Sequence, residues 1–228
     1  FALSSGAGVR AGVSVIRVSG PQAGAALLQL APGAKSSPEL PPPRRAVLRA
    51  LLRPQTPAED AHGELIDNAL VLWFPAPRSF TGEDTLELHT HGSRAVVAST
   101  LEALGRLPGL RLAEPGEFTR QAFSNGRMDL TEVEGLGDLI NADTEEQRKQ
   151  ALAQMEGVQR RVYEQWREAL LVCLAHTEAL IDFGEDADDI TQAALAGAVS
   201  KVNELRAEMR RHLRDGDRGE AVREGVRL

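Results

Sequence analysis

Apolar residues recur along this chain with two different periods. In Thr85-Leu86-Glu87-Leu88-His89-Thr90-His91 they alternate, so Leu86 and Leu88 point one way and Glu87, His89 and His91 the other, as on a half-buried strand. Val13–Ser19, β-branched and bounded by glycines, reads as another strand. Gly20-Pro21 opens a short helix through Leu30, and residues 31–45, rich in Pro, Ser and Gly, form a loop. Alternating apolar runs follow at 46–52 and 69–74. Pro75-Ala76-Pro77 closes the second, because proline cannot donate to a ladder. A helix from about Ser93 carries Val97, Leu101 and Leu104 on one side and stops at Gly105; Leu110–Ala113 reads as one more strand. This mixture predicts an α+β domain over residues 1–125.

The second half has the longer period. Asp129 with Glu132, and Thr144 with Gln147, have the spacing of capping boxes at helix starts. Leu152, Met155, Val158, Val162, Trp166, Leu170, Cys173, Thr177 and Leu180 then predict one long amphipathic helix, bent at Gly157. The acidic stretch Gly184–Asp189 breaks it. A second helix carries Leu195, Val199, Val202, Leu205, Met209 and Leu213 and ends at Asp215-Gly216. Two apolar stripes of this length need partners to bury them, so the chain reads as incomplete or oligomeric.

Composition narrows the function classes. At 42% hydrophobic residues, the 228-residue chain can build a real core, yet no apolar run approaches a membrane span. The first residue is Phe1, and no signal-peptide pattern precedes the first motif, so the chain reads as cytoplasmic and trimmed at its start. The single cysteine, Cys173, lies in an apolar helical stripe and reads as core filler rather than a nucleophile. A net charge of −7 argues against autonomous nucleic-acid binding by this segment, although it leaves room for a local basic face.

Glu87-x-His89-x-His91 is the most suggestive local pattern. Side chains two residues apart on a strand are ~6.6–6.8 Å apart, a geometry that can chelate zinc; with a third ligand and an open water it would make a metal-dependent hydrolase. The same residues also suit a half-exposed strand with no ligand. A third reading has Glu87 accept the adjacent N–H and NH2 of a pterin through charge-assisted bonds, with Arg17 binding folate carboxylates. Glu117 reads as a residue near a helix N-terminus, and Asp129 as a cap. No Gly-x-x-x-x-Gly-Lys-Ser/Thr phosphate loop, Gly-x-Ser-x-Gly elbow or Cys-x-x-Cys pair occurs.

Taken together, several strings become specific. Ile16-Arg17-Val18-Ser19-Gly20-Pro21, the segment Phe74–His89 (FPAPRSFTGEDTLELH), Ala113–Thr119 (AEPGEFT), Phe123–Leu130 (FSNGRMDL), Asp138–Thr144 (DLINADT) and Ile181-Asp182-Phe183 resemble, in order, motifs of the MnmE (TrmE) family of tRNA-modifying GTPases. The resemblance spans almost the whole chain. It implies an N-terminal α+β domain similar to the folate domain of the glycine-cleavage aminomethyltransferase. It also implies a helical domain built from two stretches of chain, with a Ras-like GTPase domain inserted between them. On that reading residues 1–125 bind tetrahydrofolate and dimerise, 126–218 are the first part of the helical domain, and 219–228 approach the GTPase domain. The family's C-terminal helices, ending in Cys-Ile-Gly-Lys, lie elsewhere.

The resemblance further implies a homodimer that works with an FAD-dependent partner, MnmG, to install a (carboxymethyl)aminomethyl group at C5 of the wobble uridine of certain tRNAs. GTP hydrolysis, assisted by potassium and magnesium, drives the cycle. A 5-formyl- or 5,10-methylene-tetrahydrofolate is the bound cofactor, and no membrane is involved. Folate contacts carry over to Arg17, Glu87 and Arg127, with no catalytic residue and no metal ligand in this segment. Arg127 replaces the family's usual lysine, and Ser4–Gly12 departs from its usual Pro-Pro-Gly-Arg-Gly-Gly opening. The competing readings are a metal-dependent hydrolase using Glu87, His89 and His91, and a non-catalytic dimerisation scaffold.

Overall fold

The computed structural model describes residues 1–6, 10–33, 39–54, 63–183 and 188–224, and the chain divides into two compact units, Phe1–Met128 and Asp129–Leu228. The first unit is α+β. Its strands are β1 (Ala2–Leu3), β2 (Ala11–Ser19), β3 (Val47–Leu52), β4 (Leu65–Phe74) and β5 (Thr85–Gly92). They form one antiparallel sheet in the order β1-β2-β5-β4-β3. The helices α1 (Ala23–Leu30) and α2 (Arg94–Gly105) cover one face. There Ile16, Val18, Val71, Trp73, Leu86 and Leu88 are buried with Leu27, Leu30 and Leu104. Each fully buried leucine contributes roughly 1.5–3 kcal/mol. This burial is what fixes the register, since a slip of one residue would turn Glu87 and His89 into the core.

The opposite face follows from the same register. Arg17, Glu87 and Leu72 lie side by side across three strands, as do Val15, His89 and Leu70. Leu48 pairs with Leu70. This face is open within the unit: Val13, Leu48 and Leu70 are 58%, 66% and 45% exposed.

β4 starts earlier than the apolar run at 69–74, because Leu65–Asn68 pairs with β3 although its own residues are partly polar. The Ser93 hydroxyl accepts from Val96 N at 3.2 Å and caps α2, which ends at Gly105. Leu110–Ala113 is not a strand. It brackets one residue instead of pairing along a ladder, with Phe1 N donating to Arg111 O and Ala113 N to Phe1 O. A further helix, α3 (Glu117–Ser124), follows Gly116, whose φ of 77° is left-handed. Part of the 4–12 opening (residues 7–9) and part of the 31–45 loop (residues 34–38) lie outside the described residues.

The second unit is helical: α4 (Leu130–Ile140), α5 (Glu145–Met155), α6 (Val158–Phe183) and α7 (Asp188–Glu224). Both capping boxes form, Asp129 with Glu132 and Thr144 with Gln147. The long helix expected through Leu180 is two helices. Gly157 takes φ 74°, outside the right-handed region, so it separates α5 from α6 rather than bending one helix. α6 and α7 run antiparallel: Trp166 meets Glu208 and His212, while Cys173, Ala198 and Leu205 are buried. Residues 184–187 of the acidic break lie outside the described residues.

α7 does not end at Asp215-Gly216. The helix continues because α4 and α5 hold its later turns. Gln150 Nε2 donates to Gly219 O at 3.2 Å, Gln147 Nε2 to Arg223 O at 3.2 Å, and Arg223 Nε to Asp138 Oδ1 at 2.9 Å. These contacts offset the roughly 1 kcal/mol that a helical glycine costs. Residues 225–228 of the expected approach to a GTPase domain are likewise outside the described set. Among the described residues, no helix is long and apolar enough to cross a membrane.

Candidate functional site

The polar centre of the open sheet face is an ion pair. Arg17 on β2 and Glu87 on β5 are direct register partners. Arg17 Nη2 donates to Glu87 Oε1 at 2.7 Å, and Nε to the same oxygen at 3.1 Å. The Arg17 guanidinium also lies 5.4 Å from the Phe80 ring centroid and 5.7 Å from that of Phe118, within cation–π range. Two rings and a carboxylate therefore fix the arginine, while the pair remains partly open, at 26% and 18% side-chain exposure. Glu87 Oε2 has His89 Nε2 as its neighbour at 3.4 Å, longer than an ordinary hydrogen bond.

The segment between β4 and β5 folds over one end of this face. The Ser19, Thr81 and Thr85 hydroxyls form a chain, 2.7 Å from Ser19 to Thr81 and 3.2 Å from Thr81 to Thr85, and both threonines are buried. Asn125 Nδ2 donates to Thr81 O at 2.7 Å and ties the end of α3 to this loop. Gly82, at φ 82°, makes the approach possible. A Cβ there would lie 3.0 Å from Asn125 Cβ and 3.1 Å from Arg127 Cγ. The Arg127 stem thus rests against the loop, and its guanidinium makes no hydrogen bond or ion pair with a described residue. The fold brings Arg17 and Glu87 into contact and sets Arg127 beside the loop that carries Phe80.

The two histidines of the Glu87-x-His89-x-His91 row do not converge. His91 turns to Asp67 on β4, with its Nδ1 2.7 Å from Oδ1 and its backbone N donating to Oδ2 at 2.8 Å. Burial works against the charged form of Asp67, but the hydrogen bonds from His91 and from the Asn68 backbone outweigh it and hold the carboxyl below its usual range. Among the described residues, no group of three or more His, Cys, Asp or Glu side chains is arranged to hold a metal ion.

Comparison with known proteins bears on the same segments. Residues 1–127 match the family model described as the N-terminus of the GTP-binding protein TrmE, and residues 130–227 match the MnmE helical domain. The chain belongs to the MnmE family. A tRNA modification GTPase MnmE from Parvibaculum lavamentivorans is 51% identical over the whole chain, which covers 49% of that relative. The mitochondrial 5-taurinomethyluridine tRNA synthase subunit GTPB3 of Homo sapiens is 52% identical, and that of Danio rerio 51%; the whole chain covers 44% and 43% of them. The chain spans less than half the length of these relatives.

Sequence reasoning missed Phe80 and Phe118. Both stand in strings that resemble the family, but nothing local marks them as neighbours of Arg17, because their meeting depends on the sheet and α3 together. It also missed Asp67, whose carboxylate takes the place of a ladder acceptor for His91 N.

Proposed function

We propose that this chain is the folate-binding and dimerising part of a GTPase that, with the FAD-dependent partner MnmG, modifies C5 of the wobble uridine in certain tRNAs. The observation that carries the folate reading is the Arg17–Glu87 pair on the open sheet face. Arg17 donates twice to one carboxylate oxygen and leaves Oε2 with only the long His89 contact, so that oxygen can accept from the paired N–H and NH2 edge of a pterin. Phe80 and Phe118 offer apolar ring surface beside it, and Arg127, whose guanidinium has no partner among the described residues, supplies a cation for a carbonyl or carboxylate of the ligand. Bound 5-formyl- or 5,10-methylene-tetrahydrofolate supplies a one-carbon unit.

The exposed Val13, Leu48 and Leu70 on the same face support dimerisation, since exposed apolar side chains sharing one sheet face are suited to being covered by a second copy. GTP, potassium and magnesium belong to sequence outside these 228 residues, which carry no phosphate-loop motif. We assign the protein to the cytoplasm; relatives named as mitochondrial make fractionation of the native protein the direct check.

Calorimetric titration of 5-formyl-tetrahydrofolate into the full-length protein tests the reading. Saturable binding that weakens in Glu87→Ala is expected. Equal affinity in a folded Glu87→Ala protein would remove Glu87 from the site, and no binding by the parent would leave a scaffold.

A further inference from the structure

The acidic net charge conceals a local concentration of arginine. α7 carries Arg206, Arg210 and Arg214 at intervals of four residues, with Arg211 beside them, and all four are exposed. At 3.6 residues per turn they share one face of the helix with Asn203 and Ala207. The other side of the helix is in use: Leu205 is buried, and the His212 ring stands edge-on to Trp166 of α6 at 5.2 Å. Several other arginines of this unit are paired, Arg148 with Glu145 at 2.7 Å, Arg223 with Asp138 at 2.9 Å and Arg167 with Glu164 at 3.6 Å. None of the four on this face has an ion pair or hydrogen bond with a described residue; of the acids beside them, Glu204 stands at the rim and Glu208 is turned to Trp166 of α6.

We propose that this face of α7 binds the phosphodiester backbone of RNA, the tRNA substrate of the reading above, on which the inference rests. Three observations favour a polyanion. The charges repeat about every 6 Å along the helix, from a rise of ~1.5 Å per residue, and so present a row rather than a point. They are all arginine, whose planar fork pairs with phosphate oxygens two at a time. The centre of the face is Ala207 and Asn203, and its lining holds a single large apolar residue, Leu213, and no aromatic ring, where a protein interface is built on aromatic anchors. A surface of this kind recognises charge and spacing and reads no base sequence.

The test is fluorescence anisotropy of labelled tRNA with the full-length protein between 50 and 200 mM KCl, those limits being about the range over which phosphate contacts are read. The parent is compared with R206Q/R210Q/R214Q and with the matching triple lysine variant, each checked for an unchanged thermal transition. The glutamine variant is expected to bind roughly tenfold more weakly or worse. Its log-affinity against log-salt slope should fall by about 2–3, near one for each phosphate that is no longer neutralised. The lysine variant should keep most of the slope. A glutamine variant with the parent's affinity and slope overturns the arginine face while the tRNA reading stands. A parent that binds no tRNA overturns both. A glutamine variant that keeps its tRNA affinity but loses the FAD-dependent partner assigns the face to a protein and overturns the RNA proposal.

Discussion

Arg17 reaches Glu87 with two nitrogens, and both land on a single oxygen: Nη2 lies 2.7 Å and Nε 3.1 Å from Oε1. The carboxylate is thereby oriented without being used up. Its second oxygen is left to His89, at 3.4 Å, and to any ligand that donates better.

Glu87→Gln separates binding from folding. The amide keeps the shape but loses the charge-assisted bonds, worth about 1.5–3 kcal/mol each, so folate affinity should fall at least tenfold. Stability should change by no more than about 1 kcal/mol, because the ion pair is partly exposed. Calorimetry and urea unfolding of the same preparation check both parts. A large loss of stability with intact affinity would make the pair a structural strut.

Gly82→Ala should be more damaging than Gly116→Ala. Both residues are left-handed, at φ 82° and 77°, so each alanine costs about 1–2 kcal/mol of backbone strain. Only at Gly82 does the new Cβ also press on Asn125 and Arg127; Gly116 has open space around it. Chemical denaturation of the two variants measures the difference. Folate affinity should fall with Gly82→Ala and hold with Gly116→Ala.

Glu117 makes the stability of the first unit depend on pH in the acid range. Arg111, which hydrogen-bonds its carboxylate, and the backbone N–H of Glu114 hold its pKa at about 2, against the ordinary 4.5. A carboxyl depressed on folding stabilises above its unfolded value, and that contribution is lost as pH falls toward the folded one. The melting temperature of the parent should therefore exceed that of Glu117→Gln at neutral pH, with the gap closing between about pH 4.5 and 2. A gap that persists at the acid end would assign the effect to packing.

The metal reading has its own check. With His91 held by Asp67 and His89 facing Glu87, elemental analysis of the purified full-length protein should find zinc well below one per chain. Stoichiometric zinc that disappears in His89→Ala would restore the hydrolase alternative.

Much of the sheet was legible because its signals are local. Leu86 and Leu88 against Glu87 and His89 state which side is core, and Asp129-Glu132 and Thr144-Gln147 state where helices begin. Local signals failed where a longer-range contact decided. The apolar stripe stays in step across Gly157, so its period cannot reveal a left-handed residue between two helices. Asp215-Gly216 has the composition of a helix end, yet Gln147, Gln150 and Asp138 carry α7 past it. The alternation displayed Glu87, and Arg17 stood out as a charge on an otherwise apolar strand, but their contact needed β2 beside β5. The rings over Arg17 needed α3 and the loop after β4 as well.

Residues 17, 80, 87 and 118 come from four separate stretches of chain, and they are neighbours only when the first unit is fully assembled. No unfolded or half-paired chain can offer that set. Folate and folding are therefore thermodynamically linked in the proposed reading: ligand at about one hundred times its Kd adds about 2.7 kcal/mol to the unit's stability. On that reading the supply of a one-carbon cofactor adds to the margin by which the unit stays folded, as well as to the fraction that is loaded.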